Sequence, residues 1–180
     1  MSIAQLIRSF SASQVNPYLT PSKVLNNPNA YGTSANDNFG YSVATDGNYA
    51  IVGAYAEDDA GGTDSGKAYI FDVTTGSLLH TLNNPNAYET SDYDDFGSSV
   101  AISGNRVVVG AVYEDDAGGT DSGKAYIFYV TTVSLLHTLN NPNAYETSDY
   151  YYFGTSDAIS GNRVLVGAVY EDYAGGTASG

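Results

Sequence analysis

The chain has 180 residues, with 6 lysine and arginine residues against 20 aspartate and glutamate residues, and a formal net charge of −14. Such an acidic surface repels phosphate backbones and anionic lipid headgroups, so we expect no nucleic-acid partner. The chain lacks cysteine, which excludes disulfide frameworks and thiolate metal sites. No apolar run reaches the roughly 18 residues of a membrane-spanning helix, so we expect no membrane insertion.

Residues 1–25 do not match the rest of the chain, except that Lys23-Val24-Leu25 stands where the last strand of a repeat would end. We predict an N-terminal arm, either a short helix or a disordered segment. Its apolar start, Ile3 to Ile7, is followed by Arg8 and is too short and too polar for a secretory signal. A docking segment for a larger assembly is the alternative interpretation of the arm.

The rest of the chain is a tandem repeat with a step of 57 residues. The sequence Asn-Asn-Pro-Asn-Ala-Tyr at 26–31 returns at 83–88 and 140–145, and the Phe39-Gly40 pair keeps the same step. A fixed period of this size indicates supersecondary units that bury their apolar faces against one another. We divide the chain into repeat 1 (26–82), repeat 2 (83–139) and a truncated repeat 3 (140–180).

Each full repeat contains four short β-rich runs separated by turns. In repeat 1 the turns are Asp46-Gly47-Asn48 and Thr74-Thr75-Gly76, which suit tight hairpins because glycine and asparagine accept positive φ. Helical periodicity is absent. The pattern predicts an all-β fold, a β-propeller-type array of four-stranded antiparallel blades that is incomplete, with two full blades and a partial third. A solenoid is the structural alternative, although its coils are usually shorter.

Two motifs in each repeat resemble a known family. Phe39-Gly40-Tyr41-Ser42-Val43-Ala44, followed by Ala50-Ile51-Val52-Gly53-Ala54, resembles the FG-GAP repeat, the blade unit of integrin-α-type β-propellers. The pattern recurs from Phe96 and again from Phe153. The proline that ends the family motif is missing, and Tyr55, Val112 and Val169 stand in its place. The resemblance implies a binding role in cell adhesion or in a secreted protein, and no particular chemistry.

Many members of that family bind calcium between the two motifs. Here that place holds only a three-residue turn, such as Asp46-Gly47-Asn48 or Ser103-Gly104-Asn105. So short a turn cannot surround an ion that needs about six to eight oxygen ligands. We therefore do not expect the family's calcium site.

Carboxylates cluster instead in the next loop, Glu57 to Gly66, which repeats as Glu114 to Gly123. Adjacent acids, a further aspartate and flexible glycines form a candidate Ca²⁺ site with backbone carbonyls completing the shell. The alternative is a solvated acidic loop. A second acidic stretch, Asp92, Asp94 and Asp95, is a weaker candidate. The predicted ligands are Glu57, Asp58, Asp59, Asp64, Glu114, Asp115, Asp116 and Asp121.

Catalytic signatures are missing. The two histidines, His80 and His137, occupy equivalent positions in the fourth run, which favours strand-surface residues over a general base. A cysteine nucleophile and a phosphate-binding loop are absent. We therefore expect no enzyme activity and no catalytic residues.

The tyrosines are candidates for ligand contact. They recur in series, in which Tyr31, Tyr55 and Tyr69 return as Tyr88, Tyr113 and Tyr126, and Tyr145 and Tyr170 continue the first two. Rigid amphipathic rings on loops make good contact surfaces and can stack on sugars. Tyr69 and Tyr126 lie within the third run, where packing between blades is the favoured interpretation.

These observations predict a non-catalytic extracellular module for adhesion or ligand binding, with a protein or glycan as its ligand. One alternative is a structural repeat segment of a larger surface or virion protein, and a remote one is a secreted hydrolase fragment. We expect an extracellular, cell-surface or virion location, although no signal peptide is seen. Self-association that completes the propeller is a further expectation.

Repeat 3 departs from repeat 2 at informative positions. Asp94, Asp95 and Asp116 become Tyr151, Tyr152 and Tyr173, and Val100 becomes Asp157. Val100 lies in the apolar phase of the first run, so a carboxylate there is predicted either to be buried or to disrupt the strand. We expect repeat 3 to be the least protected part of the chain.

Overall fold

The computed structural model describes residues 3–6, 23–29, 35–60, 62–85, 91–115, 119–142 and 149–171. Within these ranges the chain forms twelve strands, and no helix there could span a membrane. The strands are β1 Ile3–Leu6, β2 Lys23–Asn26, β3 Val43–Thr45, β4 Tyr49–Ala54, β5 Lys67–Asp72, β6 Leu78–Asn83, β7 Phe96–Ser103, β8 Arg106–Ala111, β9 Lys124–Tyr129, β10 Leu135–Asn140, β11 Ser156–Ser160 and β12 Arg163–Gly167.

Each full repeat folds as a four-stranded antiparallel sheet in chain order. Repeat 1 holds β3-β4-β5-β6, repeat 2 holds β7-β8-β9-β10, and repeat 3 holds the pair β11-β12. A fourth sheet, β1-β2, precedes them. The prediction of an all-β array with two full blades and a partial third is confirmed, and the described sheets do not close into a ring.

The turns form as their sequences predict. In the β3–β4 turn, the Asp46 carboxylate accepts hydrogen bonds from the backbone N–H groups of Asn48 and Tyr49, each at 3.0 Å. Gly47 takes a φ of 97° there, which a side chain would disfavour. In the β5–β6 turn, Asp72 accepts from the Thr75 N–H at 2.7 Å. These local bonds fix the hairpin registers.

The hydrophobic core lies between successive sheets. Leu82 at the end of repeat 1 is buried in one cluster with Phe96, Val109 and Tyr126 of repeat 2. A further cluster joins Val108 of repeat 2 to residues of repeat 3. Each sheet therefore buries its apolar face against its neighbour, as expected for an array whose units do not bury their own faces.

The N-terminal arm differs from its prediction where the structure describes it. Ile3–Leu6 is a strand, β1, paired antiparallel with β2, so the prediction of a short helix or disorder is wrong for these four residues. Four residues are too few for a stable isolated helix, whereas pairing with β2 satisfies the backbone groups on one side of β1. Residues 7–22 lie outside the described ranges. Lys23 and Leu25 do form a strand at the position predicted from the repeat.

Candidate functional site

The first predicted ligands, Glu57 and Glu114, lie in the protein interior. The Glu57 side chain is fully buried, accepts a hydrogen bond from Lys67 Nζ at 2.8 Å, and accepts another from the Tyr69 hydroxyl at 2.6 Å. Burial raises the pKa of the Glu57 carboxyl, and the bonds from Lys67 and Tyr69 oppose that rise. Glu57 is thus engaged in a buried ion pair.

Repeat 2 contains the same cluster. Lys124 Nζ lies 2.7 Å from Glu114 Oε1, and the Tyr126 hydroxyl donates to the same oxygen. Burial again raises the pKa of Glu114. We call Glu57, Lys67 and Tyr69, with their counterparts in repeat 2, the buried triads. They confirm that Tyr69 and Tyr126 are packing residues, each about 2% exposed.

The aspartates of the acidic loops make bonds within the loops. Asp58 Oδ1 accepts from the Asp64 N–H at 2.9 Å, and Asp115 Oδ1 accepts from the Asp121 N–H at 2.7 Å. Asp59 forms a backbone bridge with Gly62, and Asp116 lies outside the described residues. Within the described ranges, no group of three or more histidine or acidic side chains is placed to hold a metal ion. Calcium binding by the loops therefore stays a prediction.

These loops also join one repeat to the next, a role that sequence reasoning missed. The Asp92 carboxylate, just before repeat 2's Phe-Gly motif, accepts from the Thr63 N–H at 2.7 Å. Phe96 N–H donates to the Ser65 carbonyl at 3.1 Å. A Cβ at Gly66 would lie 2.1 Å from the Phe96 carbonyl oxygen, so only glycine permits this approach. The corresponding loop of repeat 2 contacts repeat 3 in the same way, through Thr120, Ser122 and Gly123.

Calcium binding by the acidic loops can be tested by thermal unfolding. If the loops bind Ca²⁺, millimolar calcium is expected to raise the melting temperature, because a ligand that binds only the native state stabilises it. Asp58→Asn together with Asp115→Asn should abolish the rise. Asp46→Ser is the matched control, because serine stands at that position in repeats 2 and 3. Identical melting curves with calcium and with chelator would contradict the prediction.

A cavity of about 510 Å³ opens where the three repeats meet. Five tyrosines and one carboxylate dominate its lining, which we call the tyrosine pocket: Tyr41 and Tyr55 of repeat 1, Asp95 and Tyr113 of repeat 2, and Tyr152 and Tyr170 of repeat 3. Several rings touch edge to face, with Tyr41 and Tyr55 centroids 4.5 Å apart and Tyr113 and Tyr152 centroids 5.2 Å apart. Because its lining comes from three repeats, no single repeat forms this pocket.

Asp95 supplies the carboxyl group in the lining of the tyrosine pocket. Burial, followed by the nearby carboxylates of Asp64, Asp94 and Asp121, raises the pKa of Asp95 to about 7. Burial and Asp95 also raise the pKa of Tyr55 and Tyr113. Perturbed acids in a concave site are typical of functional sites. A positively charged group would relieve the repulsion among these carboxylates.

The family's usual calcium position does not fit an ion here. Asp46 already accepts two backbone N–H bonds of its own turn. In repeats 2 and 3, Ser103 and Ser160 replace it, so these turns carry no carboxylate. Calcium prefers several anionic oxygens, and these turns do not supply them.

Comparison with protein families matches residues 29–71 and 86–128 to the FG-GAP repeat. The chain is an FG-GAP repeat protein. The two matched stretches belong to repeats 1 and 2, and each ends within the third strand of its sheet. No curated protein matches the chain. FG-GAP repeats occur in extracellular adhesion-type propeller domains and are generally not enzymatic.

Within this FG-GAP array, the pocket residues occupy two recurring places. Tyr41 and Ser98 directly follow the Phe-Gly pair, while Tyr55 and Val112 replace the family's proline. The start of the first strand and the end of the second meet at one end of an antiparallel hairpin. That topology was a signal from which the pocket, including Asp95, could have been found.

The other tyrosines predicted as contact residues lie either in the pocket or outside the described residues. Tyr55 and Tyr113 both line the pocket, although the 57-residue step aligns Tyr113 with Ala56. Tyr31, Tyr88 and Tyr145, in the repeated asparagine motif, lie outside the described residues. Where that motif is described, Asp37 accepts from Asn27 Nδ2 at 2.7 Å. In repeat 2, Asp94 likewise accepts from Asn84 Nδ2 at 2.7 Å.

Proposed function

We propose that the chain is a non-catalytic, extracellular ligand-binding module of the adhesion type, and that its tyrosine pocket receives a basic side chain of a protein partner. The observation that carries the proposal is the joint placement of five tyrosine rings and Asp95 around one cavity. Aromatic rings attract cations through their π faces, and the half-buried carboxylate of Asp95 adds to that attraction.

The charge of the molecule supports a cationic ligand. The formal net charge of −14 favours approach of basic partners. Among the described lining side chains of the pocket, Asp95 is the one carboxylate. Hydrolysis of glycosides usually uses two opposed carboxyl groups, so this lining favours binding over catalysis.

The proposal is tested by titrating the protein with a pentapeptide that carries one central arginine between glycines. We expect saturable binding that weakens with added salt. Affinity should rise between pH 6 and pH 8, because Asp95, with a pKa of about 7, becomes ionised over that range. Isothermal titration calorimetry, or chemical-shift changes of the tyrosine rings in NMR spectra, would measure the affinity at each pH.

Asp95→Asn is expected to weaken peptide binding at least about tenfold, or about 1.4 kcal/mol. Asparagine occupies the equivalent position in repeat 1, Asn38, so the variant should fold. Asp46→Ser removes one charge far from the pocket lining and is the control. A peptide with central glutamine should not bind. If the protein binds a neutral oligosaccharide and not the peptide, the proposal of a basic side chain is wrong and a glycan is the ligand.

A further inference from the structure

The N-terminal hairpin is equivalent to one half of a repeat. In the β1–β2 pair, Ile3 stands opposite Asn26, just as Lys67 stands opposite Asn83 in the β5–β6 pair. The next three residue pairs keep the same register in both hairpins. β1 and β2 therefore correspond to the third and fourth strands of a repeat.

The packing of β2 agrees with this equivalence. Leu25 of β2 is buried in one cluster with Phe39 and Tyr69 of repeat 1. Leu82 of β6, one step of 57 residues later, is buried with Phe96 and Tyr126 of repeat 2. The hairpin thus sits against repeat 1 as the outer half of a preceding blade would.

Repeat 3 supplies the other half. β11 and β12 correspond to the first and second strands of a repeat, as the Gly154 N–H bond to the Gly167 carbonyl repeats the Gly40 bond to Gly53. Within the described residues, β12 has β11 on one side and no strand on the other. An open strand edge presents unpaired backbone groups to another chain.

Apolar side chains are exposed on repeat 3 and on repeat 1 at positions that are buried between other repeats. Leu165 of β12 is 73% exposed, whereas its counterparts Ile51 and Val108 are both fully buried. Val43 of β3 is 60% exposed, whereas its counterpart Val100 is 8% exposed. Between repeats 1 and 2, Ile51 and Val100 share one cluster. An additional blade interface would cover Leu165 and Val43 together.

We propose that two copies of the chain associate head to tail, with the β1–β2 hairpin of each copy completing the β11–β12 half-blade of the other. Each copy then contributes two whole blades and two complementary halves. Two copies make a ring of six blades, within the range of about four to eight found in propellers. One copy closing on itself would make three blades, which is below that range.

The proposal fixes the register of the new contact. Ile51 stands opposite Ile70 in the β4–β5 pair, and the equivalent residues are Leu165 of β12 and Leu6 of β1. The Gly53 N–H donates to the Ser42 carbonyl on the β3 side. Backbone groups two residues apart point to the same neighbouring strand, so those of Ile51 also point toward β3. The Ile51–Ile70 pair between β4 and β5 is therefore not hydrogen-bonded. Cα atoms of such pairs lie about 4.5 Å apart, within the span of a disulfide.

A cysteine pair tests this register, since the chain has no cysteine of its own. Leu6→Cys with Leu165→Cys should give, on mild oxidation, a covalent species of twice the 18.9 kDa chain mass. Leu6→Cys with Arg163→Cys, two residues out of register, is the control and should cross-link far less. A bridge within a single chain would overturn the two-copy ring. A series of covalent species larger than the dimer would show that the copies form an open chain and would contradict the closed two-copy ring.

The unsubstituted full chain should behave as a dimer in light scattering. Gln5 is equivalent to Tyr69, which stands opposite Val52 and points its backbone N–H toward β4. Gln5→Pro therefore removes one N–H from the free edge of β1. This variant should become monomeric with an unchanged far-ultraviolet circular dichroism spectrum. Val166→Pro, on the facing edge of β12, should do the same. A monomeric unsubstituted protein at 100 µM, or an unaffected dimer in both variants, would overturn the proposal.

Discussion

Lys124→Met is expected to lower the free energy of unfolding by about 3–5 kcal/mol, because it leaves an unpaired carboxylate in the interior. Glu114 is fully buried, and Lys124 Nζ is bonded both to its carboxylate at 2.7 Å and to the Asp115 carbonyl at 2.9 Å. Removal of the lysine therefore leaves the Glu114 carboxylate without its counter-charge and the Asp115 carbonyl without this donor. Urea unfolding followed by circular dichroism, at fixed protein concentration, measures the change.

The double variant Glu114→Gln with Lys124→Met separates charge from packing. Glutamine keeps the volume of Glu114 and can still accept from Tyr126, so we expect most of the lost stability to return. Lys67→Met breaks the matching triad of repeat 1 and should have an effect similar to that of Lys124→Met. Lys23→Met, at a half-buried lysine on β2, is the control. A loss below about 1 kcal/mol would be typical of an exposed ion pair and would contradict the buried one.

The sequence predicted the sheets well because their signals are local. Alternating apolar residues and tight turns specify each hairpin, and the 57-residue step copies the result along the chain. The four residues of β1 carry no such signal. Their strand depends on β2, whose Leu25 packs on residues of repeat 1, and this long-range contact leaves no pattern within residues 3–6.

The candidate site was harder to predict because carboxylates look alike in sequence. Glu57 and Asp58 are neighbours, yet one is buried against Lys67 and the other bonds to the Asp64 N–H of its own loop. Asp95 belongs to the acidic stretch that is the weaker metal candidate in the sequence, and the structure places it among tyrosines from all three repeats. Only the stacking of the repeats distinguishes these roles.

Burial of Asp157, in contrast, was foreseeable from the repeat alone. It replaces the buried Val100 of repeat 2 and pairs across the hairpin with Val166. Its carboxyl oxygens are buried and make no well-formed hydrogen bond. Burial raises the pKa of Asp157 to about 7, and the Ser99 hydroxyl opposes this only in part. The ionised carboxylate therefore destabilises repeat 3.

Asp157→Val is expected to stabilise repeat 3, and the gain should depend on pH. Because the folded-state pKa of about 7 lies above that of an unfolded aspartate, the folded state binds the proton more tightly. Stability is therefore greatest at low pH and falls as the pH rises from about 4 to about 7. Above pH 7 the penalty is on the order of 4 kcal/mol, which valine would remove.

Native-state hydrogen exchange of the β11 and β12 amides measures this change locally. In the natural sequence these amides should exchange before those of β4 and β8, and their opening free energy should decrease between pH 5 and pH 8. Asp157→Val should raise that free energy and flatten its pH dependence. Asp157→Asn should flatten the pH dependence with a smaller gain, because a buried amide still lacks partners. If both variants keep the pH dependence of the natural sequence, Asp157 does not cause it. Asp95, whose pKa is also about 7, would then be the first carboxyl group to test.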